Sequence, residues 1–325
     1  MRSKSIFSIA VGLCLFGLAA FAAAQSVQVD PSLAAYKAVS VVSGSVSSVG
    51  SDTLNNLMTM WAENFNKFYP NVKIQIEGKG SGTAPPALIG GTAQLGPMSR
   101  EMKGSEIDEF EKKHGYKPTQ LRTAVDALAV FVNKDNPAKC LSFEQVDAVF
   151  SKSRRQGGKE DIKTWGQLGL TGDWANRPIS LFGRNSASGT YGFYKEHVLK
   201  NGDYKDSVKE QPGSAAVVQG ITVDRYAMGY SGIGYSTAGV RPVPLTEKTG
   251  GTCAEATAEN AYAGKYPLAR FLFVYVNRAP GKAMDPLTRE FVKLVVSKQG
   301  QEVVVKDGFF PLPASIVKEE LAKVQ

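Results

Sequence analysis

The sequence predicts an α/β fold, in which helices cover both faces of a parallel or mixed sheet. Segments with strand and helix patterns alternate along most of the chain, as this architecture requires. Hydroxyl-rich turns stand where predicted strands give way to predicted helices, and in open α/β sheets this carboxyl edge is where ligands bind. The chain has 325 residues, which is enough for two such domains with proper cores.

The amino-terminal residues predict a cleaved export signal. Arg2 and Lys4 precede an apolar run from Ile6 to Phe21, and three alanines stand before Gln25. We therefore expect residues 1–24 to be removed and the protein to be periplasmic, with secretion as an alternative. No later stretch approaches the roughly 20 apolar residues of a membrane-spanning helix. Residues 25–48 are polar and serine-rich, which predicts an extension packed loosely against the body.

Composition narrows the possible partners. The formal net charge is +8, but acidic residues are interleaved with the basic ones. This pattern favours general attraction of anions over nucleic-acid binding. Signal cleavage leaves Cys140 and Cys253, which could form one disulfide or remain as two free thiols. Neither cysteine has a histidine nearby, so we expect no metal and no cofactor.

Two hydroxyl-rich turns lie in the first third of the chain. Residues 49–53 precede a predicted helix, and residues 80–83 follow a strand pattern at Val72, Ile74 and Ile76 and lead into a helix at Pro85 to Ile89. The first helix has apolar residues at the spacing of a buried face. They are Leu54, Leu57, Met58, Trp61, Phe65 and Phe68.

Two further turns complete the set. Residues 98–100 stand between a short strand segment, residues 94–96, and a charged helix near Lys103 to Lys113. Residues 181–190 run from an apolar strand end through a cation, hydroxyls and glycine into a helix near Tyr191. Hydroxyls, helix-start N–H groups and the Arg184 guanidinium are all suited to oxyanions. One such turn is more often a helix cap, but four at one edge indicate an anion site.

Two long apolar segments, residues 127–134 and 270–278, resemble each other. Both lack alternation, which predicts strands buried on both faces. They could be two central strands, or the points where the chain crosses to a second domain and returns; the residues alone slightly favour the former. Between them we predict helices at residues 142–150 and 214–226 and a glycine-rich strand and turn at 228–235. After them we predict a helix at 286–297, with Leu287, Phe291, Leu294 and Val295 inward, and a tail at 303–313 packed on the first domain.

Together these motifs resemble the periplasmic phosphate-binding proteins of Pst-type ABC importers. The resemblance covers essentially the whole chain after the signal. It rests on residues 49–54, 80–86, 96–100, 183–192 and 305–309. It implies a type II periplasmic binding protein: two α/β lobes, joined by a two-segment hinge, that close on one phosphate in the cleft. Lobe I would comprise residues 49–133 and 268–325, and lobe II residues 134–267.

The resemblance also implies a ligand set and a partner. Inorganic phosphate would be bound and then delivered to ABC transporter permease subunits in the inner membrane, so the protein would not be an enzyme. The phosphate-binding residues would be Asp52, Thr53, Ser81, Ser99, Arg100, Arg184, Ser188, Gly189 and Thr190.

The sequence departs from some members of that family at two positions. Where they carry aspartates, one of which accepts the proton of the phosphate, this chain has Arg100 and Ser186. We expect Asp52 to be the acceptor and Arg100 partly to balance its charge. The alternative is that Asp52 merely caps the helix that follows it.

Two other functions could use the same residues. A phosphatase would need a base or metal, but His114 and His197 are the only histidines and no acidic cluster accompanies the turns. A matrix or adhesion protein could act through the extension, and deleting residues 25–40 would then leave ligand affinity intact.

Overall fold

The computed structural model describes residues 27–39 and 42–324. No helix within these ranges is both long and apolar enough to span a bilayer. The predicted export signal, residues 1–24, lies outside the described residues.

Strands and helices alternate through the described chain. The strands are β1 (Ser45–Val49), β2 (Lys73–Glu77), β3 (Leu95–Met98), β4 (Thr119–Ala127), β5 (Ala129–Asn133), β6 (Leu141–Ser142), β7 (Ser180–Arg184), β8 (Val208–Gln211), β9 (Ala227–Ser231), β10 (Val240–Pro242), β11 (Leu245–Thr246) and β12 (Ala269–Val276). The helices are α1 (Asn55–Asn66), α2 (Ala84–Ile89), α3 (Gly104–His114), α4 (Phe143–Phe150), α5 (Gly189–His197), α6 (Ser214–Val223), α7 (Ala258–Tyr262), α8 (Pro286–Val295), α9 (Lys298–Lys306) and α10 (Ala314–Ala322).

The strands form two mixed sheets, which confirms the predicted α/β class. The first sheet has the order β2-β1-β3-β12-β4, in which β1 pairs in parallel with β2 and β3 while β12 runs antiparallel to β3 and β4. The second has the order β10-β5-β9-β7-β8, with β7 parallel to β8 and β9. A short parallel pair, β6 with β11, lies beside the second sheet.

The chain passes between the two sheets twice, which makes the hinge. Strand β4 ends in the first sheet at Ala127 and β5 begins in the second at Ala129, so Leu128 is the first connection. The second precedes β12, which returns to the first sheet between β3 and β4. Residues 129–133 therefore belong to the second sheet, whereas the predicted boundary kept them in lobe I. Only one residue separates the apolar strands β4 and β5. The apolar pattern continues through this connection, so it does not show where one sheet ends and the other begins.

Helix starts follow local sequence signals. Ser142 caps α4 by accepting from the Gln145 amide at 3.2 Å, and Asp285 caps α8 by accepting from the Thr288 amide at 2.9 Å. The inward residues predicted for α8 are all buried, and burying each such side chain contributes roughly 1.5–3 kcal/mol. The tail after α9 also packs on the first sheet, through a bridge between Phe310 and Val125 of β4.

Some predicted bounds were wrong. The stripe of α1 ends at Phe65, and Phe68 lies beyond the helix with 36% of its surface exposed. Helix α6 ends at Val223, before Tyr226, which accepts a bond from the Trp165 ring nitrogen through its carbonyl oxygen. In both cases an apolar residue beyond the end of the helix happens to fit the helical spacing of the apolar residues before it.

The predicted loose extension is attached to the body. Strand β1 begins inside it, at Ser45, and both Leu33 and Tyr36 are buried. The Tyr36 hydroxyl lies 2.8 Å from that of Tyr69 and donates to Glu290 at 3.0 Å. Leu33 and Tyr36 are isolated large residues in a serine-rich stretch. The prediction relied on the average composition of the segment, which does not show such single anchoring residues.

Cys140 and Cys253 form a disulfide, with Cα atoms 6.1 Å apart. Cys140 directly precedes β6, and Cys253 directly precedes Ala254, which forms a bridge with Leu245 of β11, so these pairings bring together two cysteines that are 113 residues apart. The sequence left this pairing open.

Candidate functional site

The predicted turns meet between the two sheets. Those after β1, β2 and β3 come from the first sheet, and the turn after β7 comes from the second. Gly80 has a φ of +123° and its Cα lies so near Ala187 that a Cβ would be 2.5 Å from the Ala187 carbonyl oxygen. A residue with a side chain would therefore hold the turns of the two sheets apart.

Five buried hydroxyl side chains lie together where these turns meet, and we call them the hydroxyl cluster. They are Ser51, Thr53, Ser81, Ser99 and Thr190. The Thr53 and Thr190 hydroxyls are 2.9 Å apart and join the two sheets directly. Ser99 lies 3.1 Å from Ser51, 3.3 Å from Ser81 and 3.4 Å from Thr190. Thr53, Ser81, Ser99 and Thr190 were predicted for this site, while Ser51 was not.

Neighbouring donors decide whether Ser81 and Thr190 of the cluster, and the nearby Ser188, can donate a hydrogen bond. The Ser99 amide donates to the Ser81 oxygen at 3.0 Å, and the Tyr191 amide donates to the Ser188 oxygen at 3.3 Å. Thr190 accepts from the Arg270 guanidinium at 2.9 Å. Amide and guanidinium N–H groups cannot accept, so each of these hydroxyls keeps its own proton to donate elsewhere.

Arg184 occupies the end of β7 with 1% of its surface exposed. Its Nη1 donates to Ser214 Oγ at 2.6 Å, and its Nη2 lies 3.1 Å from Asp52 Oδ2. Within the described chain its Nε is buried without a hydrogen-bond partner. Burial lowers the pKa of Arg184 and the charge of Asp52 raises it, so the carboxylate helps to keep this buried guanidinium charged.

Asp52 reaches across to the second sheet. Its Oδ2 accepts from the Ser214 amide at 2.8 Å and forms an ion pair with Arg184 Nη2 at 3.1 Å. The alternative in which Asp52 merely caps the following helix does not describe this geometry.

Arg100 is directed elsewhere, which corrects the predicted balance of charge. Its two terminal nitrogens donate to the Glu106 carboxylate at 2.8 and 2.7 Å, and one of them also donates to the Glu101 carbonyl. Glu106 lies in the first turn of α3, close enough along the chain to capture the guanidinium. Arg184 therefore balances Asp52, and Arg100 does not.

Sequence reasoning missed a buried ion pair beside the hydroxyl cluster. Arg270 Nε and Nη2 donate to Asp126 Oδ2 at 3.0 and 2.8 Å, and Asp126 is fully buried. The two residues stand opposite each other in the β12–β4 register. The available signal was an aspartate near the end of β4 and a lone arginine near the start of β12.

Tyr235 was also missed. Its hydroxyl donates to the carbonyl oxygen of Asp52 at 3.0 Å and lies 3.3 Å from that of Thr53. It thus ties the second half of the molecule to the first hydroxyl turn. The glycine-rich segment around it was recognised as a turn, but its partner lies more than 180 residues away.

Gly189 begins α5 in direct contact with the cluster. A Cβ at this position would lie 2.2 Å from Ser81 Oγ and 2.8 Å from Ser99 Oγ. Because Gly189 has no side chain, the start of α5 can approach the turns of the first sheet this closely.

Metal binding has little support in the described part of the chain, where no group of three or more histidine, cysteine, aspartate or glutamate side chains could hold an ion. His197 is an exposed residue of α5 whose Nδ1 lies 3.0 Å from the Phe193 carbonyl oxygen.

Comparison with known proteins agrees with this architecture. Residues 36–299 match the PBP superfamily domain. The chain is 58% identical over 303 residues to the phosphate-binding protein PstS of Pseudomonas aeruginosa, covering 93% of this chain and 94% of that protein. The chain belongs to the PstS family. The resemblance seen in the sequence is thereby confirmed.

More distant proteins also match most of the chain. The SphX protein of Synechococcus elongatus is 26% identical over 83% of this chain and 78% of its own length. An ABC-type phosphate transport receptor from Vibrio cholerae superposes with a TM-score of 0.63 at 21% identity, over 82% of this chain and all of that one. A high-affinity periplasmic phosphate-binding protein bound with phosphate has a TM-score of 0.66 at 14% identity, over 86% and 93% of the two chains. Both structures show that the PstS-family chain has the two-lobed fold predicted for it.

Proposed function

We propose that the protein binds one inorganic phosphate ion between its lobes, in the periplasm, and delivers it to the permease of an ABC importer. The observation that carries the proposal is the polarity of the site: Ser81, Ser188 and Thr190 each accept a bond from a protein donor and so keep their own protons to donate. A pocket lined by donors stabilises an oxyanion and offers little to a cation.

Each lobe supplies part of the proposed site. Lobe I, drawn at the sheet crossings as residues 45–128 and 269–324, would contribute Asp52, Thr53, Ser81 and Ser99. Lobe II would contribute Arg184, Ser188, Gly189 and Thr190. Since the hydroxyls of Thr53 and Thr190 are 2.9 Å apart, an anion can enter only when the lobes separate. Closure around it would be the signal that a permease reads.

Arg184 would be the principal cation at the phosphate. Its Nε is buried and unpaired within the described chain, while its terminal nitrogens are held by Ser214 and Asp52. The bonds at the far end fix the guanidinium plane and leave the inner edge for an anion oxygen. Arg100 would act at most from a distance, because Glu106 holds it.

Selectivity would come from Asp52. A carboxylate has about four lone-pair sites, and the described donors to Asp52 use Oδ2 alone. Phosphate that carries a proton can donate to the remaining oxygen. Sulfate carries no proton at neutral pH and would meet repulsion there, and an unpaired, partly buried acceptor costs roughly 1–3 kcal/mol.

The site supports binding rather than hydrolysis. The Ser188 oxygen receives an amide N–H and lies at a helix start, and His197 on the same helix bonds to the Phe193 carbonyl instead of to a serine. Within the described residues, no base is placed to activate Ser188 as a nucleophile. The disulfide suits an exported protein, since such bonds persist in oxidising compartments.

Calorimetric titration tests the proposal. Protein from residue 25 onward, unfolded and refolded to remove bound anions, would be titrated with phosphate and then with sulfate at several pH values. We expect tight one-to-one binding of phosphate that excess sulfate does not displace. Absence of heat with any oxyanion would refute the function, and comparable binding of sulfate would refute the selectivity.

A further inference from the structure

The Arg270–Asp126 ion pair stands at the point where the two lobes join. Asp126 is next to last in β4, just before the first connection, and Arg270 is the second residue of β12, just after the second connection. The antiparallel register places them opposite each other. The pair therefore links the two hinge strands side by side.

Each partner also contacts the second lobe. Asp126 Oδ1 accepts from the Ile233 amide at 2.9 Å, and Arg270 Nη2 donates to Thr190 Oγ1 at 2.9 Å. Arg270 further lies with its guanidinium carbon 5.1 Å from the centre of the Phe193 ring of α5. These contacts form when the lobes are together, so the pair bears on the closed arrangement.

The hydrogen bonds of Arg270 fix the role of Thr190. Of its five N–H groups, two serve Asp126, one serves the Ser99 carbonyl at 2.7 Å and one serves Thr190. A guanidinium cannot accept, so the Thr190 oxygen must be the acceptor in this bond. The Thr190 proton is then available to Thr53 in this arrangement and to an anion once the lobes separate.

We propose that Arg270, held in place by Asp126, is a positioning residue for anion binding that keeps the Thr190 hydroxyl as a donor toward the ligand. This proposal rests on the proposed function. Arg270 acts through Thr190, and its charge is largely neutralised by Asp126, so its contribution is one of orientation. Arg184 remains the cation that meets the anion.

A charge-neutral double substitution isolates this effect. Asp126→Asn with Arg270→Gln leaves no lone buried charge, and the asparagine retains an acceptor oxygen for the Ile233 amide. We expect phosphate affinity, measured by calorimetry, to fall by about tenfold. In a Thr190→Val background, the same double substitution should change affinity by less than about threefold, because the hydroxyl it orients is gone.

A matched control lies in the same strand. Arg122 of β4 pairs with buried Glu320 of α10, away from the hydroxyl cluster. Arg122→Gln with Glu320→Gln removes an ion pair whose acid is as buried as Asp126, and it should lower the thermal unfolding midpoint without changing phosphate affinity. Equal losses of affinity from the Arg270 pair in both backgrounds, or no loss in the wild-type background, would overturn the proposal.

A second variant covers failure of the double substitution to fold. Arg270→Lys keeps the charge opposite Asp126, but one nitrogen cannot serve Asp126, Ser99 and Thr190 in the same geometry. Its loss of affinity should likewise disappear in the Thr190→Val background, and persistence of the loss there would overturn the proposal. Phosphate binding by the unsubstituted protein is measured first. If that protein bound no phosphate, the proposed function itself would fail, and this outcome is distinct from a failure of the Arg270 proposal.

Discussion

A serine or threonine hydroxyl can donate or accept, so its neighbours decide which role faces a ligand. At this site the neighbours are amides and a guanidinium, which are obligate donors. Ser81, Ser188 and Thr190 are thereby set as donors before any ligand arrives. This preorganisation means that little further ordering is needed on binding.

Asp52 is the residue on which the proposed selectivity depends. Asp52→Asn removes the charge that would repel sulfate and weakens the hold on Arg184. We expect the ratio of phosphate to sulfate affinity to fall by roughly tenfold to hundredfold, in line with a lost penalty of about 1–3 kcal/mol. Competition calorimetry at pH 7 measures the ratio. An unchanged ratio with weaker binding of both anions would mean that Asp52 only holds Arg184.

The residues found from sequence and those missed differ in how their partners are reached. Arg184, Ser188 and Thr190 lie within a few positions of one another, so local order alone indicated an anion site. Arg270 and Asp126 are 144 residues apart and meet through strand register. The register between two distant strands depends on the whole sheet, so it cannot be read from the sequence of either strand alone.

At the level of elements, the start of α5 brings the lobes closest together. In Gly189→Ala, the added Cβ would lie 2.2 Å from Ser81 Oγ, so either the helix or the opposing turn must move. Overpacking of this kind costs about 1–3 kcal/mol, which corresponds to roughly tenfold to hundredfold in phosphate affinity. Titration of the variant measures the loss.

Gly192→Ala in the same helix is the matched control. Its Cβ would meet the Arg100 side chain at 3.4 Å, a distance that a flexible side chain can accommodate. We expect unchanged affinity and a slight gain in stability, since alanine favours a helix over glycine by up to about 1 kcal/mol. An equal loss of affinity in both variants would show that any substitution in α5 weakens binding. The close contact of Gly189 with Ser81 would then not be the cause.

The end of α9 carries a buried carboxyl that should respond to pH. Burial raises the pKa of Asp307 to about 6, against the effect of a hydrogen bond from Asn56. The folded state then holds more protons than the unfolded state between about pH 4 and 6, so this residue makes stability fall as pH rises through that window.

Asp307→Asn should remove this loss. We expect the variant to be more stable than the unsubstituted protein at pH 7, on the order of 1 kcal/mol once solvent at this half-buried group is considered, and equally stable near pH 4. Thermal unfolding at both pH values makes the comparison. A shift of the same size at both would assign the effect to packing instead of charge.

Elements with strong periodicity were predicted well, and their ends less so. The inward face of α8 is as predicted, because a single apolar stripe defines it. Strand β1 was placed partly in the extension, since Ser45, Ser47 and Ser48 resemble a polar linker. The pairing of β1 with β2 and β3 makes this segment a strand, and that pairing depends on residues elsewhere in the sheet.

For the whole molecule, the disulfide belongs to one lobe and should be separable from binding. Cys140→Ser with Cys253→Ser opens a loop of 113 residues, and loss of such a bond typically costs about 2–5 kcal/mol. We expect a lower thermal unfolding midpoint with phosphate affinity unchanged at a temperature where the variant is folded. Weaker binding under those conditions would show that the bond shapes the cleft.

The two-segment hinge was open from the residues alone and was favoured through the family resemblance. Two buried strands in the middle of one sheet and two strands that each border a crossing have the same apolar sequence pattern. The sheet order separates these cases, because β5 lies in the second sheet while β12 lies in the first.

The position of β12 also sets an order of assembly during synthesis. It lies between β3 and β4, yet it follows the entire second sheet along the chain. While a ribosome is still making residues 129–268, the first sheet lacks an inner strand, so β4 has no partner in it and the half-made lobe cannot close its core. The second lobe can therefore complete its sheet first, and residues 45–128 can complete theirs only when β12 emerges. Such a delay would keep the first lobe incomplete during the export that the predicted signal would direct.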